Sequence, residues 1–217
     1  FLEVKNQITQ YVFENNDTPE TYEHLLSVSK LLYKIQYREL KVDINDCRGI
    51  MINSNFRSSA NKILNGSKYI DYNLFGTVTG RLSTYPGSFP ILTMAKELRM
   101  LIKPQNDWFL SLDYNGAEAR TVLSLLDIPQ PDCDVHEWNL KNVLPKNIKS
   151  RDEAKKTFFS WLYNPDSKII KNSIYNRDAL LEKYYKDGYI NTVFGRKIKV
   201  DKYKALNYLV QSTTADL

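Results

Sequence analysis

Ser111-Leu112-Asp113-Tyr114-Asn115-Gly116-Ala117-Glu118-Ala119-Arg120-Thr121-Val122-Leu123-Ser124-Leu125-Leu126 is the stretch on which the reading of this chain turns. Just before it, Trp108, Phe109 and Leu110, together with Leu112, make a short apolar run suited to a buried strand. Within it, Ala117, Val122, Leu123, Leu125 and Leu126 make an apolar helical face. Asp113 therefore falls where a strand gives way to a helix, with Glu118 and Arg120 at fixed spacing beyond it. Two roles suit an aspartate there. A carboxylate held by a packed scaffold can ligate a hard divalent cation, and a short acidic side chain can also cap the helix.

The rest of the composition sets bounds. A chain of 217 residues with 42% hydrophobic content can bury a sizeable core. A net charge of +5 and a pI near 9.0 suit a phosphate-rich partner. No apolar run approaches the ~20 residues of a membrane span, so no membrane partner is expected. The start Phe1-Leu2-Glu3-Val4-Lys5 has neither the basic end nor the apolar core of a secretory signal, and Phe1 is read as an internal cut. Cys47 and Cys133 are too few for a disulfide framework or a zinc site, and point to a reducing compartment. A helix is expected over Thr18 to Leu40, with Thr18-Pro19-Glu20 as its start. Asn45 to Asn65, rich in Asn and Ser, is expected to be loop with short helix.

Further along, Ser150-Arg151-Asp152-Glu153 reads as a capping box opening a helix. Arg151, Lys155, Phe159 and Tyr163 recur along it every four residues. Four residues advance a helix by about 400°, so these side chains stay on one side over roughly 18 Å. One face thus passes from two cations to two aromatic rings, the polarity of a nucleoside triphosphate with phosphates at one end and sugar and base at the other. An amphipathic core helix with a solvated basic edge has the same pattern. Thr77-Val78-Thr79-Gly80-Arg81-Leu82-Ser83 is a tight turn that projects Arg81, with Gly80 supplying the backbone freedom. In Asp187-Gly188-Tyr189-Ile190-Asn191-Thr192-Val193-Phe194-Gly195-Arg196 the glycines and β-branched residues predict strand and turn. Asn207 and Gln211 stand one helical turn apart near the end.

Taken in order, these motifs resemble those of family A (polymerase-I-like) DNA polymerases over roughly Tyr69 to Leu217. The first palm motif there reads Asp-Tyr-Ser-Gln-Ile-Glu-Leu-Arg; this chain keeps Asp113, Tyr114, Glu118 and Arg120 and substitutes Asn115, Gly116 and Ala117. Thr79-Gly80-Arg81-Leu82-Ser83 is similar to the Thr-Gly-Arg-Leu-Ser motif. Asp134-Val135-His136 resembles the Asp-Ile-His that precedes the nucleotide-binding fingers helix, and the Arg-x3-Lys-x3-Phe-x3-Tyr pattern of that helix is complete. The closing segment is similar to Asn-x3-Gln-Gly-Thr-Ala-Ala-Asp, with Ser212 for the glycine.

The resemblance implies an α+β, right-hand polymerase fold, incomplete here, with an antiparallel palm sheet and helical fingers. Residues 1–67 would be the end of the thumb, 68–127 the first part of the palm, 128–188 the fingers, and 189–217 a hairpin and the return to the palm. It implies template-directed DNA synthesis on primer-template DNA from dNTPs, by a monomer using two Mg²⁺ ions, in the cytoplasm or in a phage or virus within a host cell. Asp113 and Lys155 would be catalytic, and Asp113 and the Tyr114 carbonyl would ligate metal. His136, Arg151, Lys155, Phe159, Tyr163 and Glu118 would bind the nucleotide, and Arg81, Asn207, Gln211 and Arg196 the DNA. A second catalytic carboxylate is expected in a His-Asp-Glu turn, and the chain contains no His-Asp dipeptide. A fragment is the reading. Single-subunit RNA polymerases and non-catalytic nucleic-acid-binding proteins are the competing classes.

Overall fold

A computed structural model of the chain describes residues 2–18, 21–170 and 174–217. It is a mixture of helices and small antiparallel sheets. The order is α1 (Leu2–Glu14), α2 (Tyr22–Gln36), β1 (Lys41–Val42), α3 (Ile44–Ile50), α4 (Ser54–Asn65), β2 (Tyr72–Asn73) and β3 (Ser83–Thr84). A 3₁₀ turn over Lys96–Leu101 leads into β4 (Ile102–Lys103). Then come α5 (Ala117–Leu125), α6 (Val135–Asn142), α7 (Arg151–Tyr163), α8 (Arg177–Tyr184), β5 (Tyr185–Lys186), β6 (Tyr189–Asn191), β7 (Lys197–Lys199) and α9 (Lys202–Ala215).

Short polar side chains set where the helices begin. Asp43 accepts from the backbone N–H groups of Asn45 and Asp46 at the start of α3, and Asn53 accepts from Asn55 N at the start of α4. These caps turn the Asn- and Ser-rich stretch 45–65, expected to be loop with short helix, into two helices that pack on each other through Cys47, Ala60 and Ile63. The capping box of α7 is formed as expected: Glu153 N donates to Ser150 Oγ at 3.2 Å, and Glu153 Oε2 accepts from Ser150 N at 3.3 Å. Of the start proposed for α2, Pro19 and Glu20 lie outside the described residues; the helix runs from Tyr22 with Thr21 at its N-cap.

Two apolar cores form. One gathers α3, α4 and the 3₁₀ turn around Ile63, Phe89, Leu98 and Leu101. The other packs α5 to α9 and the β6–β7 hairpin around Val122, Phe158, Leu180, Ile190 and Leu209. Helix α5 packs with the later helices, against α6 and α9. Asp187 and Gly188, with φ of 52° and 79°, turn the chain between β5 and β6, and Gly195 (φ 78°) turns it between β6 and β7.

One expectation needs correction. The run Trp108 to Leu112 is neither a strand nor buried: Trp108, Leu110 and Leu112 are 86, 84 and 83% exposed. An apolar run becomes a buried strand only when neighbours pair its edges and cover its faces, and no described strand pairs with it. Among the described residues the strands form three separate small antiparallel sheets, β1–β4, β2–β3 and β5–β6–β7, so with the helices the chain is α+β.

Candidate functional site

Glu118 is where distant motifs meet. It lies in the first turn of α5 and is 8% exposed. Its Oε1 takes an ion pair from Arg81, and its Oε2 accepts a 2.9 Å hydrogen bond from the Tyr163 hydroxyl at the end of α7. A nearly buried carboxylate needs such partners, since an unpaired one would lose its hydration without replacement. Burial and the Glu118 contact push the Tyr163 phenol up to about 12, with Gln211 beside it acting in the opposite sense.

Three of the four residues of the predicted α7 face share one cleft. Lys155, Phe159 and Tyr163, with Asp152, Lys156, Ser160 and Asn164, line an open cleft of about 690 Å³. The Phe159 and Tyr163 rings stack at 5.7 Å with 15° between their planes, giving the cleft an apolar wall. Lys155 is exposed and has no ion-pair partner among the described residues. Arg151 is differently placed: its Nη2 donates to Asp134 Oδ2 at 2.7 Å.

His136 is 2% exposed, packed beside the rings of Phe158 and Phe159, so it lies beneath the cleft and not on its surface. Burial lowers its pKa and favours the neutral imidazole. The substitution of Gly116 has a structural reason. Gly116 adopts a left-handed φ of 63°, and a Cβ there would run into Val135 Cγ1, on the first residue of α6.

Arg196 is also occupied. Its Nε and Nη2 donate to the Asp216 carboxylate at 2.9 and 2.6 Å, and its guanidinium lies against Gly80, whose φ is 79°. This bidentate pair ties the hairpin and the end of α9 to the turn that presents Arg81. The other α9 candidates, Asn207 and Gln211, are both partly buried, and Asn207 Oδ1 has no hydrogen-bond partner among the described residues. A hydrogen bond of 2.9 Å between Thr121 and Thr214 fixes α9 against α5.

Asp113 and Tyr114 stand exposed in the segment before α5. No group of three or more His, Cys, Asp or Glu side chains among the described residues is placed to hold a metal ion. One carboxylate and one carbonyl are too few donors for two Mg²⁺ ions, each of which wants octahedral oxygen ligation. These residues therefore do not by themselves fit the expected metal pair.

Sequence reasoning passed over three residues. Asp134 was read only as part of a motif, Asp216 as the end of another, and Arg120 was given no role. Arg120 donates to the carbonyls of Asn115, Pro131 and Cys133 at 2.8–2.9 Å, which holds the 127–134 loop beside α5. An aspartate just before a helix announces a cap; nothing in the order of residues announces its partners from other elements. No helix of the described residues is long and apolar enough to cross a membrane. Compared with protein-family models and with curated protein sequences, the chain matches none.

Proposed function

We propose that the chain is part of a family A-like DNA polymerase and takes part in template-directed transfer of deoxynucleotides from dNTPs to a primer end. The observation that carries this reading is the junction at Glu118, where Arg81, Glu118 and Tyr163 from three separate motifs converge on one carboxylate beside the α7 cleft. Unrelated surface motifs would have no reason to share a buried acid.

In this reading Lys155 binds the triphosphate as a free cation, with Arg151 joining it from one turn earlier. Phe159 and Tyr163 supply a flat apolar wall for the sugar and the nascent base pair. Glu118, fixed by two partners, bars a ribose 2′-hydroxyl. Arg81, half exposed, reaches DNA through the minor groove, where the acceptors are common to both base-pair types. Asp113 contributes one metal-binding carboxylate, and the reading needs at least one more acid than these residues supply. Mg²⁺, when bound, would stabilise the charge that develops during phosphoryl transfer.

The test is nucleotide incorporation by the protein as encoded in full, on a primer-template, with deoxy- and ribonucleoside triphosphates in separate reactions. Templated incorporation of deoxynucleotides supports the reading. Preference for ribonucleotides would assign the chain to RNA synthesis, and salt-sensitive DNA binding without incorporation would assign it to the non-catalytic class.

A further inference from the structure

Asp134 makes four hydrogen bonds to three parts of the chain. Its Oδ1 accepts from the backbone N–H groups of His136 and Glu137 at 2.9 and 3.0 Å and so caps α6. Its Oδ2 accepts from Asn115 Nδ2 at 2.6 Å and from Arg151 Nη2 at 2.7 Å. Asn115 returns the contact, since its Oδ1 accepts from Val135 N at 3.1 Å. One carboxylate therefore joins the loop that carries Asp113, the start of α6 and the first residue of α7.

We propose that Asp134 is a latch on Arg151, holding its guanidinium in the free protein and yielding it to the phosphates of an arriving nucleoside triphosphate. The proposal rests on the reading of α7 as a triphosphate-binding helix. Two features of the geometry support an exchange of partners. Arg151 faces acid on both sides, with Asp134 on Nη2 and Asp152 3.7 Å from Nη1, so a phosphate approaching it meets two negative charges first. Lys155, one turn along the same face, carries no such partner and offers the first contact. Asp134 can also remain charged after the exchange, because the cap N–H groups and Asn115 still donate to it. The same donors, with Arg151 foremost, hold its carboxyl well below the usual carboxylate range.

Asp134 is thus a positioning residue, acting through Arg151. Its signature is a gain of affinity when its charge is removed. Asp134→Asn keeps an oxygen for the α6 cap and removes the charge opposing release of Arg151. With inorganic tripolyphosphate as the probe, in metal-free buffer, calorimetry on the 217-residue chain should show binding about three- to tenfold tighter in Asp134→Asn than in the wild type. Adding Arg151→Gln to that variant should remove the gain. Asn115→Ala, which loosens the loop but leaves the ion pair, should bind within about twofold of the wild type.

Unchanged or weaker binding by Asp134→Asn, while Lys155→Ala weakens the wild type, would overturn the latch and leave the reading of α7 standing. An equal gain in Asn115→Ala would overturn it too, by tracing the gain to the loop. No binding by any of these proteins would overturn the latch and the reading of α7 together. Circular dichroism confirms folding of each variant, and Asp134→Ser, which retains a capping oxygen, replaces Asp134→Asn if the latter unfolds.

Discussion

The Tyr163 hydroxyl donates to Glu118 Oε2 across 2.9 Å, joining the last residue of α7 to the first turn of α5. Because Arg81 holds the other oxygen, Glu118 cannot turn away without giving up a charged partner as well as a neutral one. A carboxylate fixed in this way excludes by shape.

If Glu118 bars a ribose 2′-hydroxyl, as proposed, truncating it removes the exclusion. In the protein as encoded in full, Glu118→Ala should raise ribonucleotide incorporation relative to deoxynucleotide, measured as the ratio of kcat/KM for the two sugars. The variant should also lose about 1 kcal/mol of stability, since the Tyr163 hydroxyl loses its acceptor. Unchanged sugar discrimination would mean that Glu118 does not face the ribose.

Lys155→Ala should raise the KM for dNTP about tenfold and slow incorporation, because a charge-assisted contact to phosphate is lost. Affinity for primer-template should change much less. A variant that loses DNA binding and keeps its nucleotide KM would reassign α7 to DNA.

Two glycines separate backbone strain from crowding. Both Gly116 and Gly195 have φ in the left-handed region, but a Cβ on Gly195 meets nothing within 4 Å whereas one on Gly116 meets Val135. Urea unfolding should give a loss of about 1–2 kcal/mol for Gly195→Ala. Gly116→Ala should lose about 2–4 kcal/mol, the excess coming from overpacking at the α5–α6 contact. Equal losses would show that α6 yields freely.

Tyr163 should leave a mark at high pH. Its folded-state pKa, pushed up to about 12, lies above the ordinary value of 10.0, so the folded state keeps the proton over a range in which the unfolded chain loses it. That contribution to stability is fully present below pH 10 and is lost as pH rises toward 12. Unfolding free energy should fall across this window in the wild type, and less steeply in Tyr163→Phe.

The 217-residue chain should show no primer extension at any Mg²⁺ concentration, since its described residues offer no cluster of acids for a metal pair. In the protein as encoded in full, Asp113→Asn should abolish extension. Robust synthesis by the 217 residues alone would mean that Asp113 already has its partner within them.

What could be read from the sequence was what local chemistry determines. The Ser150–Glu153 box and the Gly195 turn depend on neighbours along the chain, and both are formed; the four-residue recurrence along α7 brings Lys155, Phe159 and Tyr163 to one cleft and leaves Arg151 on Asp134. Burial was harder, because it depends on what arrives from elsewhere. The family resemblance implied a ligand contact for His136, yet α6 and α7 close over it; the apolarity of Trp108 and Leu110 suggested a core, yet no described element covers them. The resemblance implied a DNA contact for Arg196, whose guanidinium the fold pairs with Asp216. The competition for Arg151 was invisible for the same reason, since its partner lies 17 residues away.

The uncovered run from Trp108 to Leu112 has a colloidal consequence. Four apolar residues, two of them aromatic, with one serine, no proline and no charge, are open to solvent, a composition suited to templating sheet growth between molecules. Asp107 and Asp113 stand at its two ends as gatekeepers, and their mutual repulsion between chains is what opposes stacking. Replacing Asp113 by a neutral residue therefore removes a guard against aggregation.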